Sequence, residues 1–193
     1  MILPIVAYGS PVLKKVGVDI DKNFSGLNEL IANMWETMYN ASGVGLAAPQ
    51  IGQAIRLFVA DSEQIIKNAE PDDEDIDLYK NPMKKIFINA HIVKRMGEEW
   101  GYNEGCLSIP NIREDVFRPD EITMEYLDEN FKKHTETFDG INARIIQHEY
   151  DHIDGILFID HLKPLKRKLL TNRLNDISKG FVKTDYRMKF GVK

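Results

Sequence analysis

The chain has a single cysteine, Cys106, so no intrachain disulfide can form, which agrees with a reducing compartment and leaves that thiol free for metal or redox chemistry. No apolar run approaches the roughly 20 residues that span a bilayer. The start, Met1-Ile2-Leu3-Pro4-Ile5, lacks the charged n-region and long h-region of a signal peptide, and it is not Arg-rich like a transit peptide. A cytoplasmic location with no membrane partner is therefore expected. Charge of one sign is not in large excess: the formal net charge of -5 argues against a nucleic-acid footprint over the whole surface, and DNA is not an expected partner. The glycine-rich run at 43–50 has no Gly-Lys-Ser/Thr ending and no Gly-x-Gly-x-x-Gly, which argues against a phosphate loop. The acidic run Glu70-Pro71-Asp72-Asp73-Glu74-Asp75 lacks the EF-hand spacing and glycine, and reads as a solvated loop within residues 62 to 82.

What is present is an ordinary globular composition, 43% hydrophobic and 28% charged, over 193 residues with no repeat and no interdomain linker. That length suits one domain, 1–193, able to bury a core without disulfides. From Ser25, a candidate N-cap, Leu27, Leu30, Ile31, Met34 and Met38 recur at helical spacing to about Asn40. Ile55 to Ala60 and Ile86 to Val93 read as strands, with His91 a sheet residue. Leu107 and Ile109 mark a short extended segment, and Ile122 to Leu127 with Phe131 to Phe138 read as a hairpin beside an exposed His134. A helix follows from Asp139 to a stop at Gly155, then a brief strand from Ile156 to Ile159. Pro164 opens a last helix with Leu165, Leu169, Leu170, Leu174 and Ile177 on its apolar side. Without regular βαβ alternation, the class is α+β: mainly antiparallel sheets packed around a central metal-binding helix, with an N-terminal and a C-terminal helix.

The chemistry is concentrated in Gln147-His148-Glu149-Tyr150-Asp151-His152. Histidines four apart on a helix share one face, so both imidazoles can reach one ion with Glu149 beside them. The stripe Ile141, Ile145, His148, Glu149, His152 makes that face the inward one. Burying two imidazoles and a carboxylate there is unfavourable by several kcal/mol unless they are paired, and a divalent cation would satisfy all three. The bland alternative is a helix with two satisfied core histidines. A catalytic site of this kind needs a third protein ligand. The third-histidine position of one rival pattern holds Phe158, and no glutamate follows Glu149. His161 is close in sequence, but Cys106 is the better candidate, although a lone cysteine is most often a small buried hydrophobe.

Taken together, Gly43-Val44-Gly45-Leu46-Ala47-Ala48-Pro49-Gln50, Glu104-Gly105-Cys106-Leu107-Ser108 and Gln147-His148-Glu149-Tyr150-Asp151-His152 resemble, in that order, the signature motifs of peptide deformylases. The resemblance implies hydrolytic removal of the formyl group from N-formylmethionyl nascent peptides, with release of formate. It places one divalent metal on Cys106, His148 and His152, ferrous iron by family habit, with zinc, nickel or cobalt compatible with the same ligands. A metal-activated water would attack the formyl carbon with Glu149 as general acid/base. Gln50 and the Leu107 backbone N–H would hold the oxyanion, and Gly45 would bind substrate through its backbone. Arg113 would lie near the substrate, and Glu104 would pair with Arg118.

Tyr102, Ile141, Arg144 and Ile145 flank the ligands and are expected to wall an apolar pocket for the methionine side chain, Arg144 with its stem inward and its charge turned to solvent. The basic residues Lys163, Lys166, Arg167, Lys168 and Lys179 read first as the solvated face of a helix, and second as a weak, transient ribosome contact. No oligomer is implied. Rival readings are another metal-dependent amidase or peptidase on the same ligands, and a binding module that has lost its chemistry. The retained Glu149 argues against the latter.

Overall fold

The computed structural model describes residues 1–68 and 81–191; the acidic run at 70–75 lies outside them. In chain order the elements are β1 (Ile5–Val6), α1 (Leu27–Asn40), β2 (Gly45–Ala47), β3 (Leu57–Asp61), α2 (Glu63–Asn68), β4 (Lys84–Cys106), β5 (Ile109–Leu127), β6 (Lys133–Asp139), α3 (Gly140–Ile153), α4 (Pro164–Leu169), α5 (Thr171–Ser178) and β7 (Met188–Lys189). A five-stranded sheet runs β2-β3-β4-β5-β6, every neighbouring pair antiparallel. The second sheet joins the two ends of the chain, β1 beside β7 in parallel.

Strand alternation decides which helix covers which face. Along β3, Phe58 and Ala60 turn into the cluster that contains Ile141, Ile145 and Ile146 of α3, while Leu57 and Val59 turn into the cluster of Leu30, Met34 and Met38 from α1. Side chains two apart share a face and neighbours do not, so a strand covered on both sides reads as the unbroken apolar run Leu57-Phe58-Val59-Ala60. Phe58 and Phe87 stack with ring centroids 4.6 Å apart beneath α3. A third cluster joins Ile109, Ile112 and Val116 of β5 to Phe158, Leu174 and Ile177.

Helix α3 begins after Asp139 at the N-cap, as its sequence predicts. It ends in a Schellman turn: Ile156 N–H bonds Asp151 C=O at 2.8 Å and Gly155 N–H bonds His152 C=O at 3.2 Å. Gly155 is required there twice over, with φ of +72° and only 2.8 Å between the place of a Cβ and the Lys14 carbonyl oxygen. The helix is buried on nearly every side rather than along one stripe, because the sheet, the β4–β5 hairpin and the loops at both its ends enclose it.

Several expectations are corrected. Helix α1 starts at Leu27 with Gly26, not Ser25, at the cap. Strands β4 and β5 are far longer than the apolar runs suggest, because their outer halves pair mostly through charged and aromatic residues such as Trp100↔Arg118 and Asn103↔Asp115, which carry little hydrophobic signal. Leu107 therefore sits in the turn between them rather than in an extended segment. Residues 156–159 form no strand; Phe158–His161 is a 3-10 turn closed by Asp160, which accepts the Leu157 N–H at 2.8 Å. The last helix breaks at Leu170, so its apolar residues do not share one face: Leu170, Leu174 and Ile177 are buried while Leu165 and Leu169 are exposed. His134 is half-buried rather than exposed, stacked on Tyr126 and bonded to Asp128 at 2.7 Å.

Candidate metal centre and substrate cleft

Three elements converge on a cavity of about 630 Å³. The β4–β5 hairpin delivers Cys106 at its tip, α3 delivers His148 and Glu149 and carries the buried His152 beside Cys106, and the short β2 strand with the 3-10 turn Ala48–Ile51 delivers Gly45 and Gln50. Cys106 Sγ lies 3.3 Å from His152 Nε2, and one ligand atom from each of Cys106, His148 and His152 falls within 4.8 Å of the others. Among the described residues this is the one such cluster of metal-ligand type. His161 is not part of it, because its Nε2 is bonded to Asp151 at 2.7 Å.

The cluster is held by a buried charge network. Glu104, 3% exposed, accepts from Arg118 Nε at 2.7 Å and Nη2 at 3.0 Å, from Arg144 Nη1 at 3.0 Å, and pairs with His148 Nδ1 at 2.9 Å. Arg118 also reaches Asp151 at 2.7 Å, one turn from His148 on the helix. Burial alone would raise the Glu104 carboxyl, but the His148 and Arg118 hydrogen bonds and charges hold it well below the usual carboxylate range. With Nδ1 engaged by Glu104, the other ring nitrogen of His148 is the one available to a ligand. The Cys106 thiol, which burial would push up, is brought down to about 5 by His152 and His148. A thiolate flanked by two imidazoles is the donor set that divalent transition metals accept.

Glu149 differs from every other carboxylate here. It is 4% exposed and its Oε2 has no hydrogen-bond partner among the described residues. Burial raises it to about 7, against the opposing pull of His148 and His152. Gly45 backs directly onto it: a Cβ at Gly45 would fall 2.3 Å from Glu149 Oε1. Gly45→Ala should therefore displace the carboxylate, and a misplacement of about 1 Å lowers kcat by about 10²-fold while leaving the fold intact. Activity beside a circular-dichroism melt checks this; an alanine variant as active as the parent contradicts it. Gln50, 1% exposed, accepts the Ala47 N–H at 2.8 Å, which aims its amide Nε2 at Cys106 Sγ, 3.6 Å away.

The remaining sequence-predicted residues fall as follows. Leu107, Tyr102, Ile141 and Ile145 line the cavity together with Arg113, whose Nε bonds Asn103 Oδ1 at 3.0 Å across the hairpin rim. Arg144 also lines it, but its charge does not snorkel outward. The side chain is 2% exposed, and the guanidinium turns inward to Glu104, the Val116 carbonyl at 3.0 Å and the Trp100 carbonyl at 2.7 Å, over the Trp100 ring. A carboxylate and two carbonyls satisfy it better there than a partly covered surface would. Sequence reasoning missed Lys183, Thr184, Asp185 and Tyr186, which fold back from the far end of the chain to line the same cavity. No motif marks them.

An antiparallel sheet closed by a buried helix, with a Cys/His/His cluster and an unpaired glutamate on the floor of a cleft, is the build of a single-metal hydrolase. Known proteins narrow that class. The sequence model of the family described as polypeptide deformylase matches residues 2–168. A peptide deformylase of Christiangramia forsetii is 55% identical over 98% of this chain and 96% of its own length, and one of Flavobacterium johnsoniae is 56% identical over 100% and 97%. The crystal structure of peptide deformylase from Thermus thermophilus superposes with a TM-score of 0.79 at 36% identity, covering 93% of this chain and 99% of that one. The chain belongs to the polypeptide deformylase family, whose enzymes remove the N-formyl group from nascent peptides.

Proposed function

We propose that residues 1–193 form one catalytic domain that hydrolyses the formyl group from N-formylmethionine at the start of newly synthesised polypeptides, in the cytoplasm, releasing formate. The observation that carries this is the unpartnered Glu149 Oε2 on the cleft floor beside the Cys106, His148 and His152 donors. Those three residues would hold a divalent ion, making α3 the metal-binding helix. Ferrous iron is the proposed native metal, and zinc, nickel and cobalt fit the same donors. When bound, the ion supplies Lewis acidity, making hydroxide available near neutral pH and polarising a carbonyl.

The chain's own residues do the rest. Glu149, whose Oε2 has no hydrogen-bond partner among the described residues, accepts the proton of the attacking water and passes it to the departing amine. Gln50 Nε2 and the Leu107 N–H donate to the oxygen that gains charge at the formyl carbon, and loss of one such donor typically lowers kcat by about 10²–10³-fold. The Gly45 backbone would lie along the substrate, and its missing side chain leaves the room that the Glu149 carboxylate fills. Tyr102, Ile141 and Ile145 form the apolar wall for the methionine side chain, and Arg113 stands at the rim. Lys166 and Arg167 pair with Glu114 and Asp160, each at 2.8 Å, so transient contact with the ribosome would fall to Lys163, Lys168 and Lys179.

Protein purified without oxygen should release formate from formyl-Met-Ala-Ser. Stripping the metal with a chelator should abolish turnover, and ferrous iron should restore it. A metal-loaded protein that leaves the formyl group intact would overturn the reading.

A further inference from the structure

The turn that carries Leu107 is anchored from outside the hairpin. Leu107 and Ser108 are the two residues between β4 and β5, and the pairing is irregular just there, shifting between Gly105 and Cys106. Both turn carbonyls are tied to distant parts of the chain. Ser108 C=O accepts the Tyr8 N–H at 2.8 Å, and Leu107 C=O accepts the Tyr186 hydroxyl at 2.8 Å. The two donors belong to segments that themselves pair, through Ile5↔Met188 and Val6↔Lys189, with Ala7 N–H on Lys189 C=O at 2.8 Å. The approach of the last segment is fixed as well: Asn111 Nδ2 donates to Lys183 C=O at 3.3 Å, and the Thr184 hydroxyl donates to Tyr186 C=O at 2.7 Å. The segment 183–189 that makes these contacts lies beyond residue 168, where the family match ends.

We propose that the C-terminal segment completes the catalytic apparatus, with Tyr186 as a positioning residue that holds the Leu107 carbonyl and so fixes the turn whose N–H meets the substrate. This rests on the reading above in which the Leu107 N–H serves the oxyanion. A two-residue turn beside a register shift has freedom to rotate its peptide planes; the Leu107 carbonyl lies in the plane after Leu107 and its N–H in the plane before, so the Tyr186 bond steadies the N–H through the Cα that the two planes share. An N–H held in place before substrate arrives stabilises developing charge without reorganisation, whereas one that wanders must be ordered during each turnover.

Tyr186→Phe removes the hydroxyl and keeps the ring packed, so the fold is retained. In the iron-loaded enzyme kcat for formyl-Met-Ala-Ser should fall by about tenfold with KM within about twofold, as expected when a transition-state contact is loosened. In the zinc-loaded protein, whose ion is diamagnetic, the NMR order parameter of the Leu107 amide should drop from about 0.85 towards 0.6, with the amides of α3 unchanged. A merely structural tyrosine would lower the melting temperature and leave both readings alone, and that result overturns the proposal. An unchanged Leu107 order parameter overturns it too. If the parent itself leaves the formyl group intact, the deformylase reading has failed, and the order parameter alone then decides whether Tyr186 holds the turn.

Discussion

Glu149→Gln is expected to lower kcat by about 10²–10⁴-fold while the protein still binds its metal, because the amide can neither take nor return a proton. KM should move little, since the lost interaction belongs to the proton transfer rather than to substrate binding. Stability at neutral pH should not fall, because a carboxyl that burial raises weakens the fold once the pH passes its unfolded pKa, and the Glu149 Oε2 has no hydrogen bond to lose. Steady-state kinetics with metal analysis on the same sample checks turnover, KM and metal retention, and a thermal melt checks the stability. A variant within about threefold of the parent would place the proton transfer on another group.

Glu104→Ala should have the largest effect on the fold. The single carboxylate is shared by Arg118, Arg144 and His148, all buried or nearly so. Removing it leaves Arg118 with Asp151 alone and the buried Arg144 with only the Val116 and Trp100 carbonyls, and breaking such a buried pair typically costs about 3–5 kcal/mol. In a chain of this size that corresponds to a melting temperature lower by about 6–20 °C. Metal affinity should fall by about 10–100-fold as well, because the bond that orients His148 is gone. A thermal melt and a competitive metal titration measure the two effects separately. A variant that melts with the parent would show that Asp151 alone is enough for Arg118 and the Val116 and Trp100 carbonyls for Arg144.

The part of the site that lies on local pattern was legible in the sequence. The histidines on α3 are four apart because a helix turn brings them together, and Asp139 and Gly155 bracket that helix, Asp139 by its extended backbone without a side-chain cap bond and Gly155 by its positive φ. The small residues around Gly45 announced a close approach, and the approach is to Glu149. What was not legible depends on contacts distant in sequence. Nothing in the order of residues says that Arg144 turns inward, since that follows from Glu104 lying across the hairpin. The outer halves of β4 and β5 were missed because their pairing is carried by backbone bonds and polar side chains rather than by alternating apolar residues. Tyr186 gave no signal, since its role arises only once the two ends of the chain have met.

That meeting also sets how the molecule bears load. Strands β1 and β7 run parallel at opposite ends of the chain, so tension applied at the termini pulls them along their length in opposite directions and strains their bonds together, in shear, rather than one at a time. The first structure such a force would reach after that pair is the Tyr186–Leu107 bond. Anything that tugs on the ends, whether a tether or a surface, would thus be felt at the turn that carries Leu107 as well as in the core where Ile5 and Val6 lie.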